Sequence, residues 1–238
     1  MKDIISTIYL TDCLDYMKTV PDKYFDYAIC DPQYGIKANQ VRTGFMNKTF
    51  SQNADNKAWD NERMPPEYIT ELFRVAKRVV LWGYQYYSDL LPATCGMITW
   101  DKKNGDSVFS DAEHAFDSGG TASRMFRFQW LGLFQEDMKN PEKRIHPTQK
   151  PVALYDWIYK KYLKIKEPGK VKVFDSHLGS GSNRIAAYNI GIGEFIGCEK
   201  DADYFARQED RFKKYTDKNY AYRASVAEDE RNKQPNLF

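Results

Sequence analysis

Short apolar runs alternate along the chain with longer stretches in which apolar residues recur every three or four positions. The runs at 8–10, 25–30, 79–82, 97–100, 171–174 and 194–198 have the length and apolar content of buried strands. The stretches at 66–78, 151–163, 182–189 and 201–215 predict helices. In 151–163 the residues Val152, Leu154, Tyr155, Ile158, Tyr159 and Tyr162 keep helical spacing, and Pro151 suits a first turn. This alternation predicts an α/β fold with a mostly parallel, doubly wound, Rossmann-like sheet. Residues 111–131 differ: two β segments flank the turn Ser118-Gly119-Gly120-Thr121, which predicts an antiparallel edge hairpin. No repeat or low-complexity linker divides the chain, so a single domain is expected over 1–218, followed by a polar tail over 219–238. Two segments, 36–59 and 134–146, are long, polar and irregular, a pattern usual for functional or disordered loops.

Composition narrows the class. At 238 residues with 42% hydrophobic content, the chain can bury the core of one α/β domain. A net charge of +2 excludes a polycation, but the charge is uneven. Lys37, Arg42, Lys48, Lys57 and Arg63 outnumber the acids of 36–66. Arg124, Arg127, Lys139, Lys143, Arg144 and Lys150 do the same in 119–150. Such local excess is compatible with phosphate contacts, and equally with a solvated surface. Cys13, Cys30, Cys95 and Cys198 lack metal-like spacing, and three lie in or beside apolar runs, so reduced core residues are expected. The His residues form no ligand pair, and no metal is expected. With no signal-like or membrane-length apolar stretch, a cytoplasmic protein without membrane contact is expected.

Two constellations carry candidate chemistry. Tyr27-Ala28-Ile29-Cys30 delivers Asp31-Pro32-Gln33-Tyr34 at the end of a strand-like run, an arrangement that suits an extruded base: an acid to accept from an exocyclic amine and an aromatic ring to stack. An ordinary Asp-Pro turn gives the same pattern. Later, Val171-Lys172-Val173-Phe174-Asp175-Ser176-His177-Leu178-Gly179-Ser180-Gly181-Ser182 reads as strand, Gly-rich turn and helix start, with Ser182 placed to cap. A second strand then ends in Glu199, where a carboxylate can accept both hydroxyls of a ribose. A P-loop needs Gly-Lys-Ser/Thr, and Gly181-Ser182-Asn183 does not supply it. A dinucleotide fingerprint needs a third Gly where Arg184 stands. A site for S-adenosylmethionine needs only the Gly turn and the acid, and it remains, beside a purely structural strand-turn-helix.

These residues resemble the β group of DNA amino-methyltransferases, particularly small phage or prophage adenine methyltransferases, over about 8–212. Asp31 to Tyr34 resembles the Asp-Pro-Pro-Tyr signature, with Gln33 for the second Pro. Tyr9-Leu10-Thr11-Asp12-Cys13-Leu14 resembles the segment that touches the cofactor adenine. Trp100-Asp101-Lys102-Lys103 and Phe109-Ser110-Asp111-Ala112-Glu113 are similar to a stretch of the phage members. The most specific string is His146-Pro147-Thr148-Gln149-Lys150-Pro151, similar to the segment that holds the methionine moiety. The chain departs from the family at Asp175-Ser176-His177, where Asp-Pro-Phe is usual, and at Ser182, where Thr is usual.

The resemblance implies a class I methyltransferase fold in permuted order, catalytic half first. It implies S-adenosylmethionine as cofactor and transfer to the N6 amine of a flipped-out adenine in double-stranded DNA. The implied catalytic residues are Asp31, Pro32, Gln33 and Tyr34. The implied cofactor residues are Asp12, Cys13, Asp31, Thr148, Lys150, Asp175, Gly179, Ser180, Gly181, Ser182 and Glu199. Small target-recognition insertions are expected near 36–66 and 119–145, and a homodimer is in keeping with the group. Rival readings are a cytosine-N4 enzyme and a catalytically weakened prophage copy that binds DNA or cofactor only. Gln234, Leu237 and Phe238 resemble a peptide that docks in bacterial sliding clamps; a frayed tail accounts for them equally well.

Overall fold

The computed structural model describes residues 5–37, 60–105, 110–131 and 134–232, with 219–232 as backbone only. Most of the polar loop at 36–59, Phe109, and the tail residues Gln234, Leu237 and Phe238 lie outside the described residues. In chain order the strands are β1 (Ile5–Leu10), β2 (Phe25–Cys30), β3 (Ala76–Trp82), β4 (Gly96–Asp101), β5 (Ala112–Asp117), β6 (Ser123–Arg127), β7 (Trp130–Leu131), β8 (Phe134–Gln135), β9 (Lys172–Asp175) and β10 (Glu194–Glu199). The α-helices are α1 (Cys13–Lys18), α2 (Pro66–Val75), the single turn α3 (Tyr84–Tyr87), α4 (Val152–Trp157), α5 (Ser182–Ile190) and α6 (Ala202–Asn232).

Eight strands form one sheet in the order β1-β10-β9-β2-β3-β5-β4-β6, and β7 pairs with β8 apart from it. Only β5 runs against its neighbours in the large sheet. The central strands β2 and β9 are apolar on both faces because both faces are covered. One face packs Cys13 and Met17 of α1 and Tyr68, Ile69, Leu72 and Val75 of α2. The other packs Leu154 and Tyr155 of α4, Ala186 and Ala187 of α5, and Trp82, Trp100 and Phe126 from the strands. The fold is thus the three-layer, mostly parallel α/β arrangement that the alternation predicts.

Several elements differ from expectation. The antiparallel pairing near 111–131 exists, but β5 pairs with β3 and β4, while β6 pairs in parallel with β4 and never with β5. The turn at 118–121 crosses the start of β4 instead of closing a hairpin. A Cβ on Gly96 would lie 2.5 Å from Gly120 Cα, so backbone passes directly over backbone there. The helix expected over 66–78 stops at Val75, because Ala76 and Arg78 enter register with Phe25 and Tyr27 of β2. The helix expected over 151–163 loosens after Trp157 into a π turn, with Leu163 N–H donating to Ile158 O. Helix α6 continues to Asn232, into the segment expected to be tail, where no Gly or Pro interrupts it. Helix α1 escaped the periodicity because it is only six residues long.

Asp117, buried at the end of β5, ties this half of the sheet together. It accepts from Arg78 Nε (2.8 Å) and Nη2 (2.6 Å), from Tyr162 Oη (2.6 Å) and from Gly119 N (3.0 Å). Asp117→Ala leaves a half-buried guanidinium without its partner, and the expected loss is about 3 kcal/mol of unfolding free energy. Urea denaturation reads this directly; a loss under about 1 kcal/mol, the level of an exposed pair, contradicts the structural role.

Candidate active site

From β9 the chain winds outward through β10, and from β2 it winds the other way through β3. Loops leaving two such neighbours part from each other and open a crevice at the carboxyl ends of the strands. Asp31 follows β2, Asp175 ends β9, Glu199 ends β10, and Asp12 follows β1. The acids singled out in the sequence therefore lie along one rim. Asn183 of α5 pins the rim: its Nδ2 donates to Ile29 O and to Asp175 Oδ2, both at 3.0 Å, and its Oδ1 accepts from Tyr159 Oη at 2.6 Å. Neither Asn183 nor Tyr159 was recognised from sequence; a polar residue two places after Gly181, on an otherwise buried helix turn, was the available signal.

The Asp31-Pro32-Gln33-Tyr34 loop is held without a second proline. Asp60, itself buried, accepts from Tyr34 N (2.7 Å) and Gly35 N (2.8 Å) with one carboxylate oxygen. Tyr87 Oη donates to the Gln33 carbonyl. Tertiary hydrogen bonds thus fix the backbone that a Pro would otherwise restrict. The Tyr34 ring packs on Gly83, where a Cβ would fall 2.2 Å from a ring carbon, and one face stacks on Tyr86 at 4.8 Å. Gly83 also adopts φ +77°, so two constraints select glycine there.

Asp31 is enclosed by charge. Tyr34 Oη donates to its Oδ1, and Lys150 Nζ lies 2.6 Å from its Oδ2. Lys150 Nζ also pairs with Glu113 Oε2 at 2.9 Å, and Glu113 Oε1 pairs with Lys102. Burial pushes the Asp31 carboxyl up and the Lys150 ammonium pulls it back, leaving it above the ordinary value. Burial opposes the Lys150 charge, but Asp31 and Glu113 outweigh it and hold that pKa high. Burial also works against ionised Glu113, yet Lys150 and Lys102 lower it to about 2. Lys150 was expected beside the cofactor's methionine end; its ammonium lies between Asp31, which follows β2, and Glu113 of β5.

The string 146–151 spans the rim. Its far end sits on the Gly turn: a Cβ on Gly179 would lie 3.8 Å from the His146 ring, which packs on Tyr204 at 4.3 Å. Thr148 is exposed, with its hydroxyl 3.2 Å from His146 Nδ1. Trp130 Nε1 donates to the Gln149 carbonyl, so the β7–β8 pair braces the same string. The alternating Phe126, Phe128 and Trp130 are packing residues, and the first two rings stack on each other.

Gly179 and Gly181 take left-handed φ values of +53° and +72°. Ser182 was expected to cap α5; the cap position is Gly181, and Ser182 is the first helical residue. Ser180 and Ser182 are buried and tied to Arg211 of α6, through Ser180 O (2.7 Å) and Ser182 Oγ (3.0 Å). Glu199 accepts from Gly179 N and Asp201 N, one on each oxygen, both at 2.9 Å. Asp12 caps α1 through Leu14 N and pairs with Lys200. Burial drives the Cys13 thiol up, so it stays protonated. Burial pushes Asp175 to about 8, against its hydrogen bonds from Asn183 and His177 N. His177 is lowered to about 4 by burial and bonds Ser176 Oγ at 2.8 Å.

No protein-family model matches the chain. Type II methyltransferase M.HinfI of Haemophilus influenzae is 24% identical over 257 aligned residues, spanning 90% of this chain and 70% of the relative. The crystal structure of the M1.HpyAVI–SAM complex superposes with a TM-score of 0.53 at 20% identity, covering 87% of this chain and all of the other. PvuII DNA methyltransferase, cytosine-N4-specific, gives a TM-score of 0.55 at 12% identity, covering 90% and 92%. The chain is homologous to type II DNA methyltransferases and shares the fold of these structures.

The raised Asp175 has a consequence for pH. A carboxyl with a folded pKa near 8 and an ordinary unfolded pKa stabilises the fold in acid and loses that contribution as pH rises from about 4 through 8. Asp175→Asn carries no charge, so its melting temperature relative to the unmodified protein should rise between pH 5 and pH 9. Ligand-free thermal melts across that range check it; a constant difference contradicts a buried, proton-retaining Asp175.

Proposed function

We propose that the protein transfers a methyl group from S-adenosylmethionine to the exocyclic N6 amine of an adenine flipped out of double-stranded DNA. The observation that carries the reading is the shared rim: Asp31 and the Gly179/Glu199 turn sit on the carboxyl ends of β2, β9 and β10. At the usual strand spacing, the ends of β2 and β10 stand roughly 10 Å apart, a span that a nucleoside with a short side chain covers.

The donor set fits that cofactor. Each oxygen of Glu199 accepts one backbone N–H and keeps a second lone pair, one for each ribose hydroxyl. Gly179 carries no side chain over the turn, and Asp12 with Cys13 border the place of the adenine. His146, over Gly179, and Thr148 flank the methionine end. Bound there, S-adenosylmethionine supplies a sulfonium methyl that passes to the amine nitrogen as the carbon–sulfur bond breaks towards sulfur, and the amine then loses a proton to water.

The chain's own part is orientation. An exocyclic amine is a weak nucleophile because its lone pair is delocalised into the ring. Asp31 and the Pro32 carbonyl accept its two hydrogens, which favours a pyramidal nitrogen whose lone pair faces the methyl. The Tyr34 and Tyr86 rings offer the stacking surface, worth about 1–3 kcal/mol per base. Exposed cations at Arg124, Lys139 and Lys143 suit the phosphate backbone. Cytosine N4 is the second reading, because PvuII methyltransferase shares the fold; Asp31, where cytosine enzymes more often resemble Ser-Pro-Pro-Tyr, favours adenine.

The test uses methyl-labelled S-adenosylmethionine and mixed-sequence DNA, digested to nucleosides. Label on adenosine is expected, label on cytidine selects the second reading, and none defeats both. Asp31→Ala should bind cofactor and transfer at least about 100-fold more slowly; near-normal transfer by that variant would remove Asp31 from the reaction.

A further inference from the structure

Four side chains form an unbroken row of alternating charge behind the amine site: Lys102, Glu113, Lys150 and Asp31. They come from the loop after β4, from β5, from the string before α4 and from the end of β2. Lys150 is the most enclosed, with 3% of its side chain exposed; Asp31 retains 18%. Its ammonium donates to Asp31 Oδ2 at 2.6 Å and to Tyr34 Oη at 3.4 Å, and forms an ion pair with Glu113 Oε2 at 2.9 Å.

We infer that Lys150 is a positioning residue for Asp31, keeping that carboxylate ionised and oriented as an acceptor, and that Glu113, itself balanced by Lys102, holds Lys150 in place. The inference rests on the proposed function for its catalytic meaning, but not for its electrostatics.

The surroundings make the requirement plain. Asp31 is faced by Glu113 of β5, by Asp175 of β9, by Tyr155 of α4, by Tyr87 of α3 and by Tyr34 of its own loop. The positive charge among these groups is Lys150. Burial and the neighbouring Glu113 carboxylate favour a proton on Asp31, and a protonated acid loses an acceptor and gains a donor that the amine hydrogens cannot use. With Lys150 present, each Asp31 oxygen already has one fixed partner and keeps a lone pair free. Glu113 does a second job: paired with Asp31 alone, a lysine could follow the carboxylate outward, whereas two anchors fix the ammonium between strand ends.

The experiment compares the full-length protein with Lys150→Met, Lys150→Arg and Glu113→Gln. The Asp31 carboxyl is titrated by carbon-13 NMR in aspartate-labelled protein, with Asp31→Asn to assign the resonance. Lys150→Met should raise the Asp31 pKa by more than about one unit, because an adjacent positive charge is lost. Glu113→Gln should lower it, because a negative neighbour is lost. Methyl transfer to DNA should follow: kcat falls about 100-fold at pH 7 in Lys150→Met, partly returns as pH rises, and is largely restored in Lys150→Arg. The Kd for S-adenosylmethionine should stay at the unmodified value. An Asp31 titration that moves in neither variant, or moves the same way in both, overturns the inference. Weakened cofactor binding with an unmoved titration returns Lys150 to the cofactor. If the titrations shift as stated but the unmodified protein transfers no methyl to DNA, the electrostatic row stands and the proposed function falls.

Discussion

The parallel contact between β2 and β9 governs the rest of the molecule. The chain departs from these neighbours in opposite directions, so their carboxyl ends cannot both be covered by the same crossover, and a crevice opens there. Such a junction exposes strand-end carbonyls that must find partners. Asn183 supplies one bridge by holding Ile29 O and Asp175 together, and Tyr159 fixes the Asn183 amide. Burial pushes the Asp175 carboxyl up to about 8, so this bridge disfavours a negative charge at the centre of the rim. Asp31 and Glu199 stand to its two sides.

Those two acids are handled by different physics. Glu199 is stabilised by backbone N–H groups from its own loop and from the Gly turn, which set its orientation through local chain geometry. Asp31 is stabilised by a side chain 119 residues away, which requires the string at 146–151 to be threaded across the rim. The same string rests on Gly179 through His146 and is braced by Trp130 at Gln149. One short segment therefore couples the two halves of the crevice.

The sequence made the central strands and their terminal acids legible, because each is a short apolar run ending in a carboxylate. Asp31, Asp175 and Glu199 fall where such a reading puts them. Pairing order was not legible: β5 and β6 flank a turn rich in Gly, yet β4 separates them, since backbone can cross closely at Gly96 and Gly120. Burial direction was also hidden. Ser180 and Ser182 stand in a Gly-rich turn but face Arg211, whose position depends on α6. Gln33 looked like a departure because local rules assign backbone stiffness to Pro, whereas here Asp60 and Tyr87 supply it from elsewhere in the chain. Long-range contacts between charged side chains, such as Lys150 with Asp31, leave no periodic trace.

The most direct measurement is a crystal structure of the protein with S-adenosylmethionine bound. The ribose hydroxyls are expected on the Glu199 carboxylate, the sulfonium methyl turned towards Asp31, and Lys150 Nζ still between Asp31 and Glu113. Cofactor seated away from the β2–β9–β10 rim, or with its methyl directed away from Asp31, would contradict this.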